Sequence, residues 1–457
     1  MRKILLSTLI ATVFCAASFA QTGGRRCGTT LVEHRLAQKD PAAYQARLAE
    51  MAQRRADAQT GITAAKGTAQ YPIPVVFHIV VTQTMLNRMG GTAGIAQRVD
   101  SQMRVLNRDF NGKNADSTLI PSVFKPLYAN VGARFGLAKL NPSNQSTPGY
   151  EIRVLGAGVD STFDADAGGM QGSTYSCSDV KYATRGLTAW DASTYLNVWI
   201  TNITYNGQDG ILGITCPPSF VPQFGFPQGE LGIVLTYGAF GKRTLSSDYY
   251  ISGIDRGRTL THEMGHFFEL SHIWGDDNGA CPGGAGYQDD GISDTPIQGA
   301  ENYSCPTFPH VSCSVSSPNG DMFMNYMDYT DDRCMQMFSN GQKAVMAIEF
   351  GNPAGGSYGL TQHPNLTYNA AAVANVTNDV AFSVSPNPGN GYITILSNMP
   401  ASIKTITVTN SMGQIVYQAA AENNAIQSID LSAVAKGIYF VKCTGATGSN
   451  TQKVVFQ

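Results

Sequence analysis

The central part of the chain contains two kinds of apolar pattern: continuous runs typical of buried strands, and stripes with the period of a helix. Residues 71–81 (YPIPVVFHIVV) form a continuous run rich in β-branched side chains, which predicts a buried strand. Further strand runs follow at 150–155, 195–203 and 229–238, and a second helical run lies at 258–271. The first helical run is an amphipathic stripe with steps of three or four, formed by Ile95, Val99, Met103, Leu106 and Phe110. This order predicts an α/β (α+β) unit whose helices pack on a twisted sheet.

The flanking segments have other patterns. Residues 21–66 are polar and rich in Ala, Gln and Arg, which predicts a short helix with flexible flanks and no core of its own. Residues 275–340 are rich in Gly, Asp and Cys, so we expect irregular structure there. Residues 351–378 have the composition of a linker. Residues 379–457 contain short alternating strands separated by turns, which predicts a small all-β sandwich.

Composition excludes several classes of protein. The 457 residues are enough for two or three folded units, and 43% hydrophobic against 14% charged residues excludes a disordered chain. A net charge of -2 gives no indication that the partner is nucleic acid or an anionic membrane.

The N-terminus predicts export. Arg2 and Lys3 precede a short apolar run, and the small residues Ser18 and Ala20 suit cleavage after residue 20, so residues 1–20 are expected to be a signal peptide. The alternative is a membrane anchor, but the run is short for a bilayer span. No later stretch approaches 18 apolar residues, so we expect a secreted chain without a transmembrane segment once the signal is removed.

Export makes disulfides possible for the eight cysteines that follow the signal. Four of them crowd one segment, and spacing alone allows three pairings of these four: Cys281, Cys305, Cys313 and Cys334. Cys27 stands alone near the new N-terminus. Spacing does not fix the partners of the others, which are Cys177, Cys216 and Cys443.

The segment THEMGHFFELSHIWGD, residues 261–276, carries the candidate chemistry. His262 and His266 are four apart on the predicted helix, so both imidazoles project from one face. His272 lies beyond the helix and would complete three neutral nitrogen ligands, which leave the fourth position of a Zn²⁺ ion open for water. Glu263 can then act as general base towards that water and return the proton to the leaving amine. The alternative is three histidines that never meet.

These residues resemble the metzincin zinc peptidases, whose extended motif is H-E-x-x-H-x-x-G-x-x-H. More specifically, residues 71–350 are similar to the pappalysin (cytophagalysin) family, through VVFHIVV, YLNVWITNI, RTLTHEMGHFFELSHIWGD, DTPIQ and NYMDYTDDRCMQMFSNGQ. The resemblance implies a catalytic domain at 67–350 with a twisted five-stranded sheet, an active-site helix and an irregular C-terminal subdomain. It also implies protein or peptide substrates.

Glu269 departs from the family pattern, which usually has Gly at this position. That Gly commonly has a positive φ where the helix ends and the chain turns towards the third His. A Glu there either costs about 1 kcal/mol or more with the angle unchanged, or marks a different turn.

The resemblance assigns roles to three further residues. Met327 matches the Met-turn, which packs beneath the zinc ligands. Tyr329 matches a phenol near the zinc that can donate a hydrogen bond to the tetrahedral intermediate, and the alternative is a structural core tyrosine. Cys27, in the sequence RCGT, resembles a cysteine switch whose thiolate occupies the fourth zinc position. Residues 21–66 would then be the pro-segment of a latent zymogen, and the alternative is a cysteine without a role in latency.

The resemblance also implies two disulfides, Cys281–Cys313 and Cys305–Cys334. The family often carries structural Ca²⁺, and a group of loop acids could supply oxygen ligands for it: Asp276, Asp277, Asp289, Asp290 and Asp294. No EF-hand spacing is present, and solvated loop charges are the alternative.

Asp332 carries the expectation about specificity. The resemblance implies that the segment after the Met-turn lines the pocket for the residue that follows the cleaved bond, and basic-specific relatives have a carboxylate at the position of Asp332. We therefore expect cleavage before Arg or Lys. The alternative is that Arg333 or loop amides satisfy Asp332. Self-processing is expected within 46–66, at the bonds Gln53–Arg54, Arg54–Arg55 or Ala65–Lys66.

The C-terminal unit resembles the sorting domains that direct cargo through the type IX secretion route of certain Gram-negative bacteria, with secretion machinery as partner. The matching segments are SPNPGNG, ITVTNSMGQIVY, DLSAVAKGIYFVK and KVVFQ. The alternative is a carbohydrate- or protein-binding β-sandwich. For the whole chain, we expect a secreted zinc endopeptidase. The alternatives are an inactive zinc-binding surface protein or adhesin, which the presence of Glu263 argues against, and a zinc hydrolase of non-peptide substrates.

Overall fold

A computed structural model describes residues 27–61, 70–158, 162–164, 179–205, 208–276, 279–284, 286–313, 319–353, 355–367, 380, 382–397, 403–422, 426–445 and 449–457. The expected signal peptide, Cys177 and Asp277 lie outside the described residues.

The helices, in chain order, are α1 (Thr29–Lys39), α2 (Pro41–Gly61), α3 (Gln83–Arg88), α4 (Gly91–Asp109), α5 (Phe220–Phe224), α6 (Arg258–Phe267) and α7 (Asn340–Gly351). The strands before α7 are β1 (Tyr71–Thr82), β2 (Ala133–Leu137), β3 (Tyr150–Leu155), β4 (Thr162–Asp164), β5 (Leu196–Tyr205), β6 (Gln208–Asp209), β7 (Gly213–Cys216) and β8 (Gly232–Thr236). The strands after α7 are β9 (Ser383–Ser385), β10 (Tyr392–Leu396), β11 (Ile403–Asn410), β12 (Ile415–Ala420), β13 (Ile426–Asp430), β14 (Gly437–Gly445) and β15 (Ser449–Phe456).

The N-terminal sheet is five strands wide, in the order β2-β1-β5-β8-β7. The long strand β1 pairs in parallel with β2 along its first half and with β3 along its second half. β5 and β8 continue the parallel sheet, and β7 pairs antiparallel with β8 at the end of that order. The short strands β4 and β6 pair with the end of β5. This topology confirms the predicted α/β fold. Strand β7 lies at the edge of the sheet, where an added strand could pair with it.

Two apolar layers cover this sheet. Side chains of β1 and β5 pack with α4 and α6 in the larger core, which includes Phe77, Leu106 and Met264. The opposite side chains, such as Trp199, pack with Ile214 of β7 and with residues of α1. Odd and even positions of a strand point to opposite faces, so a strand covered on both faces has the continuous apolar run seen in β1.

The prediction for residues 21–66 was wrong in one respect, because α1 and α2 form two consecutive helices rather than one short helix with flexible flanks. The expectation of no independent core agrees with the packing, since Val32 and Leu36 of α1 are buried among residues of the main sheet. Tertiary packing stabilises these polar helices more than their own propensity does.

The second predicted helix is shorter than expected. α6 ends at Phe267 rather than at residue 271, because Glu269 adopts a φ of 70°, which is incompatible with continuing a right-handed helix. From there to α7 the described residues contain turns and isolated bridges but no helix or strand, as predicted for this segment. Disulfides join Cys281 to Cys313 and Cys305 to Cys334, and Cys216 is also disulfide-bonded. Cys27 and Cys443 are free thiols.

The first part of the predicted linker belongs to the N-terminal unit. Leu360 is buried in the main core, and the Lys139 N–H donates to the carbonyl of Leu366. The boundary therefore lies later than residue 351. The linker residues 368–378 lie outside the described residues.

The C-terminal unit has two antiparallel sheets, β13-β10-β9 and β12-β11-β14-β15. Its separate apolar core includes Val408, Val441 and Val454. This arrangement confirms the small all-β sandwich. Among the described residues, no helix is long and apolar enough to cross a membrane.

Candidate active site

Three histidines converge at the end of α6. The Nε2 atom of His266 lies 3.2 Å from Nε2 of His262 and 3.0 Å from Nε2 of His272, and the remaining pair is 3.2 Å apart. His262 and His266 come from successive turns of α6, and the turn at Glu269 brings His272 back towards them. All three side chains are buried.

The opposite ring nitrogens set the protonation of these histidines. Nδ1 of His262 is 2.7 Å from the carbonyl of Tyr326, and Nδ1 of His266 is 2.8 Å from the carbonyl of Leu270. Nδ1 of His272 is 2.5 Å from Oδ1 of Asp276. Each Nδ1 faces an acceptor and therefore carries a proton, so each neutral ring presents a bare Nε2 lone pair to the other two.

This donor set fits zinc. Three bare lone pairs cannot hydrogen-bond to one another, and burial is the main cause that lowers the pKa of His266 to about 3. Nitrogens bound about 2.0–2.1 Å from a tetrahedral zinc lie roughly 3.3 Å apart, close to the separations seen here. The hydrogen-bonded Nδ1 atoms are the usual second contacts of metal-bound histidines.

Cys27 completes the group. Its sulfur and the three imidazole nitrogens all lie within 4.8 Å of one another. Burial, followed by the nearby charge of Glu263, raises the pKa of the Cys27 thiol well above its ordinary value. A thiolate at this position therefore requires a cation among the imidazoles. The Gly28 N–H donates to the carbonyl of Gly213, which holds this stretch of chain on the edge of β7.

Glu263 lies beside the histidines and faces β7. Its Oε2 atom accepts hydrogen bonds from Oγ1 of Thr215 at 2.7 Å and from Oγ1 of Thr29 at 3.2 Å. Its Oε1 atom is buried and has no hydrogen-bond partner among the described residues. Burial is the main cause that raises the pKa of the Glu263 carboxyl. A carboxylate with one anchored and one unpaired oxygen is oriented to accept a proton.

Two glycines make room for this arrangement. A Cβ atom on Gly213 would lie 2.5 Å from Cγ of Glu263, and one on Gly265 would lie 2.4 Å from Sδ of Met327. Met327 is fully buried under α6, in the position that the resemblance implies for a Met-turn. A larger residue at Gly265 would therefore require the Met327 side chain to shift.

Tyr329 closes the other side of the histidine cluster. Its ring packs against His262, His272 and Trp274, and its hydroxyl accepts a hydrogen bond from the Cys27 N–H at 3.3 Å. A cavity of about 510 Å³ opens beside it, lined by residues that include Trp274 and Tyr303. The phenol is therefore between the metal-binding group and an open cleft.

Asp332 is fully buried at the start of α6. Its Oδ2 atom accepts hydrogen bonds from the backbone N–H groups of Arg256, at 2.7 Å, and Arg258, at 3.3 Å. Loop amides thus satisfy one carboxylate oxygen, as in the alternative given above. The side chain of Arg333, the other partner considered, lies near Asp331 instead, with its Nε atom 3.7 Å from Oδ2 of Asp331.

The loop acids have separate local partners. Asp276 orients His272, Asp290 accepts from the Ile292 N–H and Thr295 Oγ1, and Asp294 accepts from the Gly341 N–H. Asp289 accepts from the Gly291 N–H. Among the described residues, the histidines with Cys27 are the only group of three or more ligating side chains close enough to share an ion. The calcium site stays a prediction.

Several contacts of the site were not predicted. No role of this kind was predicted for the residues around Glu263, which are Thr29, Thr215 and Gly213. The same holds for Asp276, which lies behind His272. Thr29 stands two residues after Cys27, and Gly265 stands between two candidate ligands, so their positions gave a local signal. Thr215 and Gly213 lie in a four-residue strand far along the chain, and only the fold brings them to Glu263.

Comparison with known families identifies both units. The peptidase family described as pregnancy-associated plasma protein-A matches residues 182–349. The secretion system C-terminal sorting domain matches residues 383–457. Curated extracellular metalloproteases also match: that of Arthroderma benhamiae is 41% identical over 90 residues, and that of Pyricularia oryzae is 40% identical over 100 residues. These alignments cover 19% and 22% of this chain and only 28% and 32% of the relatives. The sorting domain and the extracellular relatives identify a secreted protein.

Solved structures match over a much longer stretch. A promirolysin mutant from Tannerella forsythia is 32% identical, with a TM-score of 0.60, and the match covers 75% of this chain and 100% of that one. Mature mirolysin from the same organism, in complex with a cleaved peptide, is 34% identical, with a TM-score of 0.56, over 66% of this chain and 99% of that one. With this coverage and the histidine cluster at the end of α6, the chain belongs to the pappalysin family of metzincin metalloendopeptidases.

Proposed function

We propose that this chain is a secreted zinc-dependent endopeptidase made as a latent precursor. The observation that carries the proposal is the group of three bare Nε2 atoms 3.0–3.2 Å apart with the oriented carboxylate of Glu263 beside it. Its candidate zinc ligands are His262, His266 and His272. A zinc ion held there supplies Lewis acidity to the scissile carbonyl and makes water more acidic.

The residues around that position have distinct tasks. An extended peptide can pair with the edge of β7, where the Gly213 carbonyl now accepts from the N-terminal segment. Glu263, held by Thr215, removes a proton from the attacking water and delivers it to the leaving amine. Tyr329 donates its hydroxyl proton in a hydrogen bond to the oxygen that gains negative charge.

Latency follows from the N-terminal segment. Cys27 occupies the side of the histidine cluster that water needs, Thr29 bonds to Glu263, and the Cys27 N–H bonds to Tyr329. One short segment thus engages every group with a proposed catalytic task. Promirolysin aligns with 75% of this chain and mature mirolysin with 66%, which supports a removable segment here as well.

The proposed specificity is cleavage before Arg or Lys, with Asp332 at the floor of the pocket. Its place in the segment after the Met-turn supports the proposal, because basic-specific relatives have a carboxylate at this position and a substrate cation can form charge-assisted hydrogen bonds with it. For self-processing we favour the bond Ala65–Lys66. The bonds Gln53–Arg54 and Arg54–Arg55 lie within α2, and Arg54 is paired there with Glu50 and Glu349.

A pair of variants tests this function. Glu263→Gln should lower casein cleavage about 10²–10⁴-fold, the usual contribution of a general base, while bound zinc stays at one per chain. Full activity of that variant would refute the general base. Asp332→Asn should abolish the preference for Arg or Lys after the bond, and the matched variant Asp331→Asn should keep it. An unchanged preference in Asp332→Asn would instead make this residue only a cap for α6.

A further inference from the structure

Arg47 of α2 inserts into a site made by the peptidase unit. Its Nη1 atom lies 2.9 Å from Oε2 of Glu269 and also donates to Oγ of Ser219. Its guanidinium carbon lies 4.8 Å from the centre of the Phe220 ring. A carboxylate and an aromatic face are groups that guanidinium binds strongly, and the hydroxyl is a further hydrogen-bond acceptor.

The site is deeply buried and incompletely satisfied. The side chains of Arg47 and Glu269 are only 4% and 2% exposed. Oε1 of Glu269 has no hydrogen-bond partner among the described residues. Arg47 also binds Glu33, at 2.8 Å, but Glu33 belongs to α1 and would leave together with Arg47.

Contacts within the catalytic unit hold two groups of this site in place. Glu269 is fixed by the positive-φ turn between His266 and His272. Phe220 packs against Phe224 and Phe226, with ring centres 5.6 and 5.1 Å away. A site whose groups are already held in place binds a cation with little reorganisation.

The site also lies along the path of a bound peptide. Ser219 and Phe220 follow β7, the edge strand that holds the segment around Cys27. Asp332 lies at the start of α6 and Glu269 just beyond its end, and a ten-residue helix is roughly 15 Å long. The two acids therefore flank the histidine cluster, and at about 3.3 Å per extended residue they are a few substrate residues apart.

We propose that Glu269, Ser219 and Phe220 form a second cation-binding subsite, which Arg47 fills in the precursor and an arginine or lysine of the substrate fills in the mature enzyme. The subsite takes a residue two to four positions before the cleaved bond, on the side opposite Asp332. The proposal rests on the endopeptidase function above and extends it: the enzyme selects peptides with two basic residues that bracket the bond.

The test uses mature enzyme and a set of matched peptides. Every peptide carries Arg immediately after the cleaved bond. The peptides form matched pairs, in which the residue two, three or four positions before that bond is either Arg or its neutral isostere citrulline. At one of these positions kcat/KM should be about tenfold higher for Arg, as expected for a charge-assisted hydrogen bond. In Glu269→Gln this ratio should fall to about one. Glu349→Gln is the control, because Glu349 also pairs with an arginine of α2 but lies outside the subsite, and its ratio should match the parent.

The outcomes separate this proposal from the function on which it rests. Cleavage of all peptides without any upstream preference, or a preference that Glu269→Gln retains, would overturn the subsite and leave the endopeptidase intact. The first result would mean that Glu269 serves only to hold Arg47 in the precursor. Failure to cleave any peptide would instead overturn the proposed function.

Discussion

At the scale of single residues, the site depends on the acceptors behind the histidines. Two of the three are backbone carbonyls, which no side-chain substitution removes, and the third is the carboxylate of Asp276. That carboxylate fixes the tautomer of His272 and increases the basicity of its Nε2 atom. Burial tends to raise the pKa of the Asp276 carboxyl, but its interactions with His272 outweigh that effect and lower this pKa.

Asp276→Asn should weaken zinc binding about 10–100-fold, because the amide is a poorer acceptor and no longer orients His272. Competition with a chromogenic chelator measures this affinity directly. Asp289→Asn is the matched control, since Asp289 lies in the same loop region and accepts hydrogen bonds from Gly291 and Tyr287. Equal zinc affinity in both variants would show that Asp276 does not support the metal.

Cys27→Ser should shorten the lifetime of the precursor at least about tenfold. A hydroxyl is similar in size to the thiol but binds zinc much more weakly, so water can enter the fourth position. The conversion is followed by gel electrophoresis of freshly purified precursor. An unchanged rate of conversion would contradict the cysteine switch while leaving the histidine cluster unaffected.

At the scale of elements, α2 is attached to the peptidase unit by arginines. Arg47 pairs with Glu269, Arg54 with Glu349, and Arg55 Nη2 lies 2.6 Å from Oγ of Ser271. The sequence showed Arg54 and Arg55 only as candidate cleavage positions and indicated no role for Arg47, because ion pairs between residues hundreds of positions apart leave no local pattern.

Arg47→Ala should loosen α2, since removal of one member of a buried ion pair costs about 3–5 kcal/mol by leaving the other charge unpaired. We expect faster amide hydrogen exchange across α2 and faster conversion of the precursor. Arg104→Ala is the control, because Arg104 forms an exposed pair with Asp100 on α4, and such pairs contribute about 0–1 kcal/mol. If both variants exchange at the parent rate, Arg47 does not hold α2 in place.

The sequence predicted long periodic elements well and short ones poorly. β1, β3 and α4 have clear apolar periods and lie where expected. β7 has only four residues, so its role as the edge strand beside Glu263 depends on its pairing with β8. The histidine spacing predicted that the three rings meet because α6 and the turn after it are local structure. The contacts of Thr215 and Arg47 depend on tertiary packing and could not be predicted in that way.

At the scale of the whole molecule, the peptidase unit and the C-terminal sandwich have separate apolar cores. A unit with its own core can fold without the other. Deletion of residues 379–457 should therefore leave zinc binding and peptide cleavage intact while secreted protein falls to background, which fractionation of producing cells would reveal. Normal secretion of the truncated chain would contradict the sorting role of the sandwich.

The central claim is that one zinc ion, held by His262, His266 and His272, is required for peptide cleavage. The most direct measurement is metal analysis combined with casein cleavage before chelation, after chelation and after return of stoichiometric zinc. We predict one zinc per chain, loss of cleavage on removal and recovery on return, with neither binding nor recovery in His272→Ala. Cleavage that continues in the zinc-free protein would contradict the account.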